Sequence, residues 1–314
     1  MAALLTAEAS LAFHQVPVRR FERYEVAIEA MADYETELCR SASQKRARCL
    51  RVTDQDQPEE AFCLFPPGSN KPPLAIVGGM GPLAGAMAFR QACARFGNSR
   101  AVLLYQACSV PDRSTVILSG NGRESLLCRG LASRLAGAVR LSVSFVSSAV
   151  RPVRCILACN SAHYFWRILQ DELNPDEAQM VSLVESSVEA LRFRPCQRVL
   201  LLTTEGARAG KVFSTPLSDA GIAFAEPPHA QNLLLMRAIF EGIKSLDYRR
   251  AVELGNQFFE NILEADEDYD GILAGCTEIP LIIDLLKLHG SRQVAAFLSR
   301  AKIVDPLMEA LCRA

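Results

Sequence analysis

From residue 74 onward, short apolar runs alternate with longer stretches of helical character. The apolar runs have the length of single strands and lie at residues 74–77, 102–105, 153–158, 181–183, 199–203 and 272–274. Short apolar runs between helical stretches are typical of buried strands in a parallel sheet, because helices then cover both faces of that sheet. The sequence therefore predicts an α/β protein built on parallel sheets.

Two pairs of these runs resemble one another across the chain. The run at residues 74–79 corresponds to that at 199–204, and the run before Cys159 corresponds to the run before Cys276. A duplicated α/β chain binds its ligand where the carboxyl ends of strands from both halves converge. We therefore expect two pseudo-symmetric parallel-sheet α/β domains with the site between them, plus an N-terminal extension.

The change in sequence pattern near residue 73 sets the expected domain limits. The expected parts are an N-terminal extension at residues 1–72, a first domain at 73–177 that residues 288–314 complete, and a second domain at 178–287. We expect the extension to lie outside the catalytic unit, with a helical stretch at residues 18–39 and a loop or linker from Asp54 to Pro73. Its role is either docking or targeting, or that of a solvated arm.

The composition narrows the class of protein. The chain has 314 residues, a net charge of −1 and no apolar stretch that approaches the ~18 residues of a membrane-spanning helix. The near-neutral charge gives no reason to expect binding to nucleic acid or to a membrane. Its 11 cysteines lack paired spacing, which favours a reducing compartment. The first residues lack a basic leader and a cleavage signature, so we expect a cytoplasmic location.

Two cysteines end apolar runs and are followed by small polar residues, Cys159 by Asn160 and Ser161, and Cys276 by Thr277. A cysteine at a strand end or a helix N-terminus has a lowered pKa, which favours the reactive thiolate. If the two halves face each other, one sulfur can take a proton from one face of a carbon while the other returns a proton to the opposite face. The alternative is that both are buried core cysteines.

The segment Gly78-Gly79-Met80-Gly81 is rich in glycine but lacks the spacing of a dinucleotide-binding loop. No acidic residue follows it at the expected distance either, so nucleotide binding is not expected. A close approach of the backbone at Met80 and Gly81 to a small carboxylate fits this segment better.

Cys155, Cys159 and His163 are spaced four residues apart, which on one helix would align them as metal ligands. The segment is instead predicted to be a strand followed by a helix, and these periods do not keep the three side chains on one face. We therefore expect no metal site here.

Four blocks of the chain resemble the aspartate/glutamate racemase family in sequence and in order. They are Gly78-Gly79-Met80-Gly81-Pro82, Pro111-Asp112-Arg113-Ser114, Cys159-Asn160-Ser161-Ala162-His163 and Gly275-Cys276-Thr277-Glu278-Ile279-Pro280-Leu281. The resemblance covers about residues 74–312. It implies a racemase of two pseudo-symmetric α/β domains that acts on an amino acid, a small-molecule substrate, without pyridoxal phosphate or another cofactor and forms a homodimer.

The same resemblance implies roles for four side chains. Cys159 and Cys276 would act as acid and base partners on opposite faces of the substrate's Cα. Arg113 would hold a substrate carboxylate with its planar guanidinium, and Lys244 would bind the side-chain carboxylate of an acidic substrate. The alternatives are an ion pair between Arg113 and Asp112, and a solvated helix end at Lys244.

Small polar residues beside the thiols are further candidates. Asn160, Ser161 and Thr277 offer amide and hydroxyl groups to the α-carboxylate, where preorganised donors would stabilise an enolate-like intermediate. Strand-end or helix-cap polarity is the alternative explanation for them. Thr203 and Thr204 match the family's turn in the second half and are weaker candidates for support.

Two ionisable residues follow the thiols closely. Glu278 is expected either to orient or charge-balance the Cys276 site, or simply to begin a helix as a favourable carboxylate. His163 is expected either to tune Cys159 or to complete packing beneath it.

The chain departs from the family at several positions. Gly85 stands where the family usually has Thr or Ser, Gln106 begins a segment that replaces an Asn-rich strand end, and Ser161 replaces the commoner Thr. The stretch at residues 137–154 is longer than usual, and the first 70 residues are extra. Missing polar groups near Met80 and Gln106 could alter substrate choice or weaken turnover.

Three functions are compatible with the sequence. The first is racemisation of an acidic amino acid, aspartate or glutamate, through two cysteines. The second is another activity on the same fold, a decarboxylase or a cis–trans isomerase. The third is a non-catalytic binding or interaction protein on a racemase scaffold.

Overall fold

The computed structural model of the chain describes residues 47–54, 57–64, 70–81, 83–119, 122–146, 150–265 and 268–314. The predicted helical stretch at residues 18–39 lies outside the described residues. Within these ranges, no helix has both the length and the apolar character needed to cross a membrane.

The first sheet has six strands in the order β1-β2-β4-β3-β5-β6. In chain order they are β1 Ala47–Asp54, β2 Gln57–Leu64, β3 Leu74–Gly78, β4 Val102–Gln106, β5 Val153–Leu157 and β6 Ala178–Met180. The four strands from β3 onward pair in parallel, while β1 and β2 are antiparallel to their neighbours.

Helices cover both faces of the first sheet. They are α1 Ala84–Phe96, α2 Arg113–Leu118, α3 Leu126–Ser144 and α4 Trp166–Asp171, which follows a 3₁₀ turn at Ser161–Phe165. Alternate residues of β3 face opposite ways: Ala75 and Val77 pack with α3, while Leu74 and Ile76 pack with α1 and the C-terminal helix. Because β3 is buried on both faces, its sequence is apolar throughout.

The second sheet has four parallel strands in the order β10-β9-β7-β8. They are β7 Val199–Thr203, β8 Phe224–Ala225, β9 Gly271–Gly275 and β10 Lys302–Val304. The remaining helices are α5 Leu183–Phe193, α6 Glu205–Ala209, α7 Ser214–Asp219, α8 His229–Arg237, α9 Tyr248–Glu264, α10 Ile279–His289, α11 Arg292–Arg300 and α12 Pro306–Arg313. A π-helical turn at Ala238–Gly242 and a 3₁₀ turn at Ile243–Ser245 lie between α8 and α9.

The strands that precede the two cysteines occupy corresponding places. β5 pairs in parallel with β3, and β9 pairs in parallel with β7. The strand before each cysteine therefore lies beside the first parallel strand of the same half, β3 or β7. Cys159 and Cys276 follow the carboxyl ends of β5 and β9. The predicted α/β class with parallel sheets is confirmed. The domain limits stay a prediction, since residues 288–314 contribute β10 to the second sheet but pack α12 against the first.

Two local predictions differ from the structure. The strand predicted at residues 181–183 is wrong: the strand is β6 at Ala178–Met180, and Ser182 instead caps α5 by accepting a hydrogen bond from the N–H of Glu185 at 3.1 Å. The loop predicted from Asp54 contains β2, which pairs with β1 and β4. Antiparallel strands can be partly solvated and need no continuous apolar run, so their sequence signal is weak.

Candidate active site

Cys159 and Cys276 line one cavity at the carboxyl ends of β5 and β9. Its wall comes from both halves of the chain: Met80, Gly81, Asp112, Arg113, Ser114, Ala158, Cys159, Asn160, Ser161, Thr204, Phe240, Lys244, Cys276, Thr277 and Glu278. The two thiols are 8% and 6% exposed, so each is nearly buried yet borders the same space. That space is about 20 Å³, close to the volume needed for one water molecule.

All eight residues predicted to bind substrate border this cavity, and their individual roles stay predictions. The sequence did not single out Ala158, Asp112, Ser114 or Phe240. Asp112 and Ser114 flank Arg113 within one of the four family-like blocks, so their neighbourhood was a usable signal. Phe240 precedes Lys244 by four residues, the spacing that places two side chains on one helical face.

Arg113 lies beside Cys159. Its guanidinium is buried and donates hydrogen bonds to the carbonyl oxygens of Met80 and of Pro111, the latter at 2.9 Å. Burial alone would lower the pKa of Arg113, but a hydrogen bond and charge interaction with Cys159, together with Asp112 and Glu278, raise that pKa above its ordinary value. The cation therefore persists at this site and would stabilise negative charge on the sulfur of Cys159.

Asp112 supports the position of Arg113 through the helix that follows it. Its carboxylate caps α2, accepting hydrogen bonds from the N–H of Thr115 at 2.7 Å and from the Thr115 hydroxyl at 2.9 Å. Although burial opposes the charged form, these bonds lower the pKa of Asp112. The alternative predicted for Arg113, a simple ion pair with Asp112, does not account for these contacts.

Cys276 is paired with a carboxylate. Its thiol donates to Oε2 of Glu278 over 3.0 Å, and the Thr277 hydroxyl donates to the same oxygen over 2.9 Å. Burial, followed by the negative charge of Glu278, raises the pKa of Cys276 well above its ordinary value, although Lys244 acts in the opposite direction. The lowered pKa predicted for a thiol at this strand end is therefore wrong for Cys276, because burial and the carboxylate outweigh the helix N-terminus.

Glu278 also determines which residue can occupy position 81. A Cβ atom at Gly81 would overlap Oε1 of Glu278, so a glycine here leaves room for the carboxylate to lie against the thiol without moving. The backbone at Gly81 lies close to the carboxylate of Glu278, and its predicted approach to a small carboxylate ligand stays a prediction.

Asn160 presents an unsatisfied amide at the cavity. The side chain is buried, and neither its oxygen nor its nitrogen has a hydrogen-bond partner among the described residues. A buried polar group without a partner costs free energy, so such a group in a cavity wall is well suited to bind a polar ligand. An amide can accept from an ammonium group and donate to a carboxylate.

Ser161 and Thr204 connect the two halves. Their hydroxyl oxygens lie 3.0 Å apart, and the Thr204 hydroxyl also caps α6 by accepting from the N–H of Ala207 at 3.3 Å. Thr203 does not border the cavity; its methyl group packs against the backbone at Gly275, within β7 and β9. Thr204 is therefore placed to affect the site, and Thr203 to support the sheet.

His163 lies beneath Cys159 and outside the cavity wall. Its Nε2 accepts from the N–H of Leu183 at 3.0 Å, which leaves Nδ1 to donate to the carbonyl of Cys159 at 3.1 Å. Its ring stacks on Trp166 with centroids 4.7 Å apart. Burial lowers the pKa of His163 to about 4. A neutral imidazole with both nitrogens engaged fixes the backbone of Cys159, which is the packing role among the two alternatives for it.

Lys244 reaches the cavity from the 3₁₀ turn before α9. Its Nζ lies 4.3 Å from the centroid of the Phe240 ring, a cation–π contact. Its positive charge lowers the pKa of both Cys276 and Asp112, which places the ammonium in the electrostatic environment of the site. The alternative of a wholly solvated helix end does not describe Lys244.

Gly85 and Gln106, two of the departures from the family, lie next to each other. A Cβ atom at Gly85 would come within 2.6 Å of Oε1 of Gln106, and one at Gly78 would overlap the same oxygen. The amide of Gln106 thus fills the volume that a side chain at position 85 would need. The side chain that Gly85 of α1 lacks is thus replaced in space by the longer side chain of Gln106 from β4.

Among the described residues, no group of three or more His, Cys, Asp and Glu side chains could hold a metal ion. Cys155, part of the spacing considered for a metal site, is a core residue that lies within β5. Burial raises the pKa of its thiol to about 12, so it stays protonated.

Comparisons with known proteins relate this site to a family. The sequence model described as Asp/Glu/Hydantoin racemase matches residues 77–295. Among curated proteins, an uncharacterized protein in the pnlA 3′ region of Pectobacterium carotovorum subsp. carotovorum is 28% identical over 107 residues, 34% of this chain and 69% of that protein.

Two solved structures share the fold. Aspartate racemase from Picrophilus torridus is 18% identical with a TM-score of 0.58, over 77% of this chain and 92% of that one. An aspartate racemase homologue from Pyrococcus horikoshii OT3 is 18% identical with a TM-score of 0.51, over 77% of this chain and 97% of that one. At such identities these structures establish the fold, and the family match covers most of the chain. The protein belongs to the Asp/Glu/hydantoin racemase family.

Proposed function

We propose that the protein is an amino-acid racemase that interconverts the L and D forms of an acidic amino acid, aspartate or glutamate, without pyridoxal phosphate. The observation that carries this proposal is that Cys159 and Cys276, from different halves of the chain, border a single cavity. Inversion needs two groups on opposite faces of Cα, because a single base would tend to return the proton to the face it came from.

The two sulfurs are proposed to have opposite roles at the start of the reaction. The raised pKa of Cys276 keeps it a thiol, and Cys159, which lies beside the guanidinium of Arg113, is proposed to act first as the base. The Cα–H bond then breaks with its proton moving to Cys159, and the electron pair passes to the α-carboxylate. The S–H bond of Cys276 breaks in turn, and its proton forms the new Cα–H bond on the opposite face. The other enantiomer reacts by the same steps in reverse.

The carbanionic intermediate needs donors at the α-carboxylate. Asn160, Ser161 and Thr277 border the cavity and lie close in sequence to the two cysteines, and the amide of Asn160 has no partner within the described ranges. Donors that are held in place before the reaction stabilise the developing charge without reorganisation. These residues are therefore proposed to bind the α-carboxylate.

The preference for an acidic substrate is proposed from Lys244 and from the relatives. Lys244 supplies an ammonium group at the cavity edge for a second carboxylate. The protein from Picrophilus torridus, which shares the fold, is an aspartate racemase. A substrate with two carboxylates matches a site that has cations at Arg113 and Lys244.

Substrate entry requires the cavity to enlarge. Its 20 Å³ accommodates about one water, far less than an amino acid needs. We propose that the described arrangement is a closed form and that the two halves separate at the Ser161–Thr204 contact to admit substrate. Closure around a substrate excludes water from the reacting carbon.

The assembly and location are proposed from the family resemblance. We propose a homodimer in the cytoplasm. Sedimentation equilibrium of the purified protein tests the first point, and a mass equal to one chain would contradict it. Fractionation of the source cells tests the second.

A chiral product assay tests the proposed activity. The purified protein is incubated with single enantiomers of aspartate, glutamate and several neutral amino acids, and the opposite enantiomer is measured. The proposal predicts conversion of at least one acidic amino acid in both directions. A decarboxylated or isomerised product would favour the alternatives from the sequence, and the absence of any inverted product would contradict the proposal.

A further inference from the structure

The ammonium group of Lys244 contacts an aromatic ring, and although its charge acts on Asp112, it makes no ion pair with a carboxylate of the described residues. Its Nζ lies 4.3 Å from the Phe240 ring centroid, and no ion pair involves it among the described residues. The carboxylate next in sequence to Phe240 is already engaged: Glu241 receives hydrogen bonds from Arg237 at 2.6 and 3.1 Å and from Arg250 at 3.1 Å. This arrangement leaves the charge of Lys244 available to a ligand.

The backbone that carries the pair is irregular and held in place. Phe240 lies in the π-helical turn Ala238–Gly242, and Lys244 in the 3₁₀ turn that follows. The segment ends at Leu246 in the left-handed region, with φ of 60°, and Gly242 abuts the backbone of Ala251 in α9. Short π-helical turns inside helices occur often at functional sites. Here the turn brings two side chains four residues apart to the same cavity.

Phe240 lies at the solvent side of that cavity. It is 43% exposed although it borders the same space as the two nearly buried thiols. A single exposed apolar side chain is ordinary on a protein surface, so the exposure of Phe240 alone does not indicate a ligand. What distinguishes Phe240 is its contact with the ammonium of Lys244, which it can hold at the cavity entrance.

We infer that Phe240 is a positioning residue that makes the site selective for a second carboxylate, by holding the ammonium of Lys244 at the cavity entrance. The inference rests on the proposed function only in taking this cavity as the substrate site. A lysine side chain is long and flexible, so without the ring its ammonium would spend most of its time in bulk water. The ring holds the ammonium in place, and an ammonium that stays in contact with the ring can still donate to a carboxylate on its other side.

Binding of two non-reacting acids tests this inference. Calorimetry compares succinate, which has two carboxylates, with butyrate, which has one and the same number of carbons. The variants are Phe240→Leu, which removes the π face but keeps an apolar side chain, and Phe240→Tyr, which keeps it. Phe193→Leu is the matched control, because Phe193 lies in α5, is 85% exposed and does not border the cavity.

The expected result is a 3- to 10-fold weaker affinity for succinate in Phe240→Leu, about the strength of a partly exposed cation–π contact, with butyrate binding unchanged. Phe240→Tyr and Phe193→Leu should match the natural protein. In a Lys244→Met background, Phe240→Leu should have no further effect.

Three results would overturn the inference: equal loss for both acids, a Phe240→Leu effect that persists without Lys244, or a natural protein that prefers butyrate or binds the two equally. Selective succinate binding in a protein that racemises no amino acid would uphold the inference and contradict the proposed function alone. The two proposals can therefore fail separately.

Discussion

The thiol of Cys276 donates a hydrogen bond to the carboxylate of Glu278, with Sγ 3.0 Å from Oε2. Both groups are buried, and the carboxylate raises the pKa of the thiol in addition to the effect of burial. The two thiols of the site therefore have different environments: Cys159 faces a cation, and Cys276 faces an anion. Under the proposed function, Cys276 therefore starts as the acid, which leaves Cys159 as the base.

Replacing Glu278 with Gln should lower the pKa of Cys276, because the amide keeps the shape but removes the negative charge. Burial would still hold that pKa above its ordinary value. The pH dependence of Cys276 alkylation, followed by mass spectrometry, measures the change. Cys155, whose pKa burial raises to about 12, is the internal control and should stay unreactive in both proteins. An unchanged or higher pKa of Cys276 would refute the assigned role of the charge.

Replacing Gly81 with Ala should displace Glu278, because the new Cβ atom would overlap its Oε1. Because that oxygen is the end of a flexible side chain that can move aside, we expect a loss of only about 1 kcal/mol in the free energy of unfolding, but a marked loss of activity. Gly137→Ala is the control: it lies within α3 with no atom near the added Cβ, and should stabilise the protein by about 0.5–1 kcal/mol. Urea denaturation measures both, and a Gly81→Ala protein as stable and active as its parent would disprove the contact.

Replacing Thr204 with Val should weaken both the cap of α6 and the contact with Ser161 between the halves. The loss of the cap and of one buried hydrogen bond should cost about 1–3 kcal/mol in the free energy of unfolding. Thr204→Ser keeps the hydroxyl and should cost much less. A loss for Thr204→Ser as large as that for Thr204→Val, or larger, in urea denaturation would contradict the assignment of this stability to the hydroxyl.

His163 should make stability depend on pH. Its folded pKa of about 4 lies below the value of 6.5 expected in the unfolded chain, so the unfolded state binds more protons between these values. Stability from this group is therefore complete above pH 6.5 and falls by about 3 kcal/mol as the pH drops toward 4. In His163→Gln the protein should be less stable at pH 7, but its loss over this window should be smaller. Parallel curves of unfolding free energy against pH would rule out this origin.

Much of the fold followed from local sequence pattern. The runs that became β3, β4, β5, β7 and β9 are mostly apolar because the strands are buried on both faces, with Arg154 of β5 as a partly buried exception. The polar β1–β2 hairpin carries no such pattern, because an antiparallel pair can be partly solvated and needs no continuous apolar run. The error at residues 181–183 arose because Ser182 caps a helix, and this capping outweighed the β-branched Val181 that suggested a strand.

The site was predictable as far as the sequence blocks extend. The residues adjacent to the cysteines are predictable as site residues because they follow a recognisable thiol in the sequence. The contacts of Glu278 with Gly81, and of Ser161 with Thr204, join residues far apart in the chain, so only the tertiary structure brings them together. The raised pKa of Cys276 has the same origin, because it depends on burial and on a carboxylate whose direction no sequence pattern encodes.

Solvent deuterium exchange tests the central claim most directly. Single enantiomers of aspartate and glutamate are incubated in D₂O with the natural protein and with Cys159→Ala and Cys276→Ala, and deuterium at Cα is measured in each separated enantiomer. The account predicts deuterium at Cα of the inverted product with the natural protein, and a loss of racemisation of about 100-fold or more in each variant. Racemisation that survives the removal of either sulfur, or no exchange by the natural protein, would contradict it.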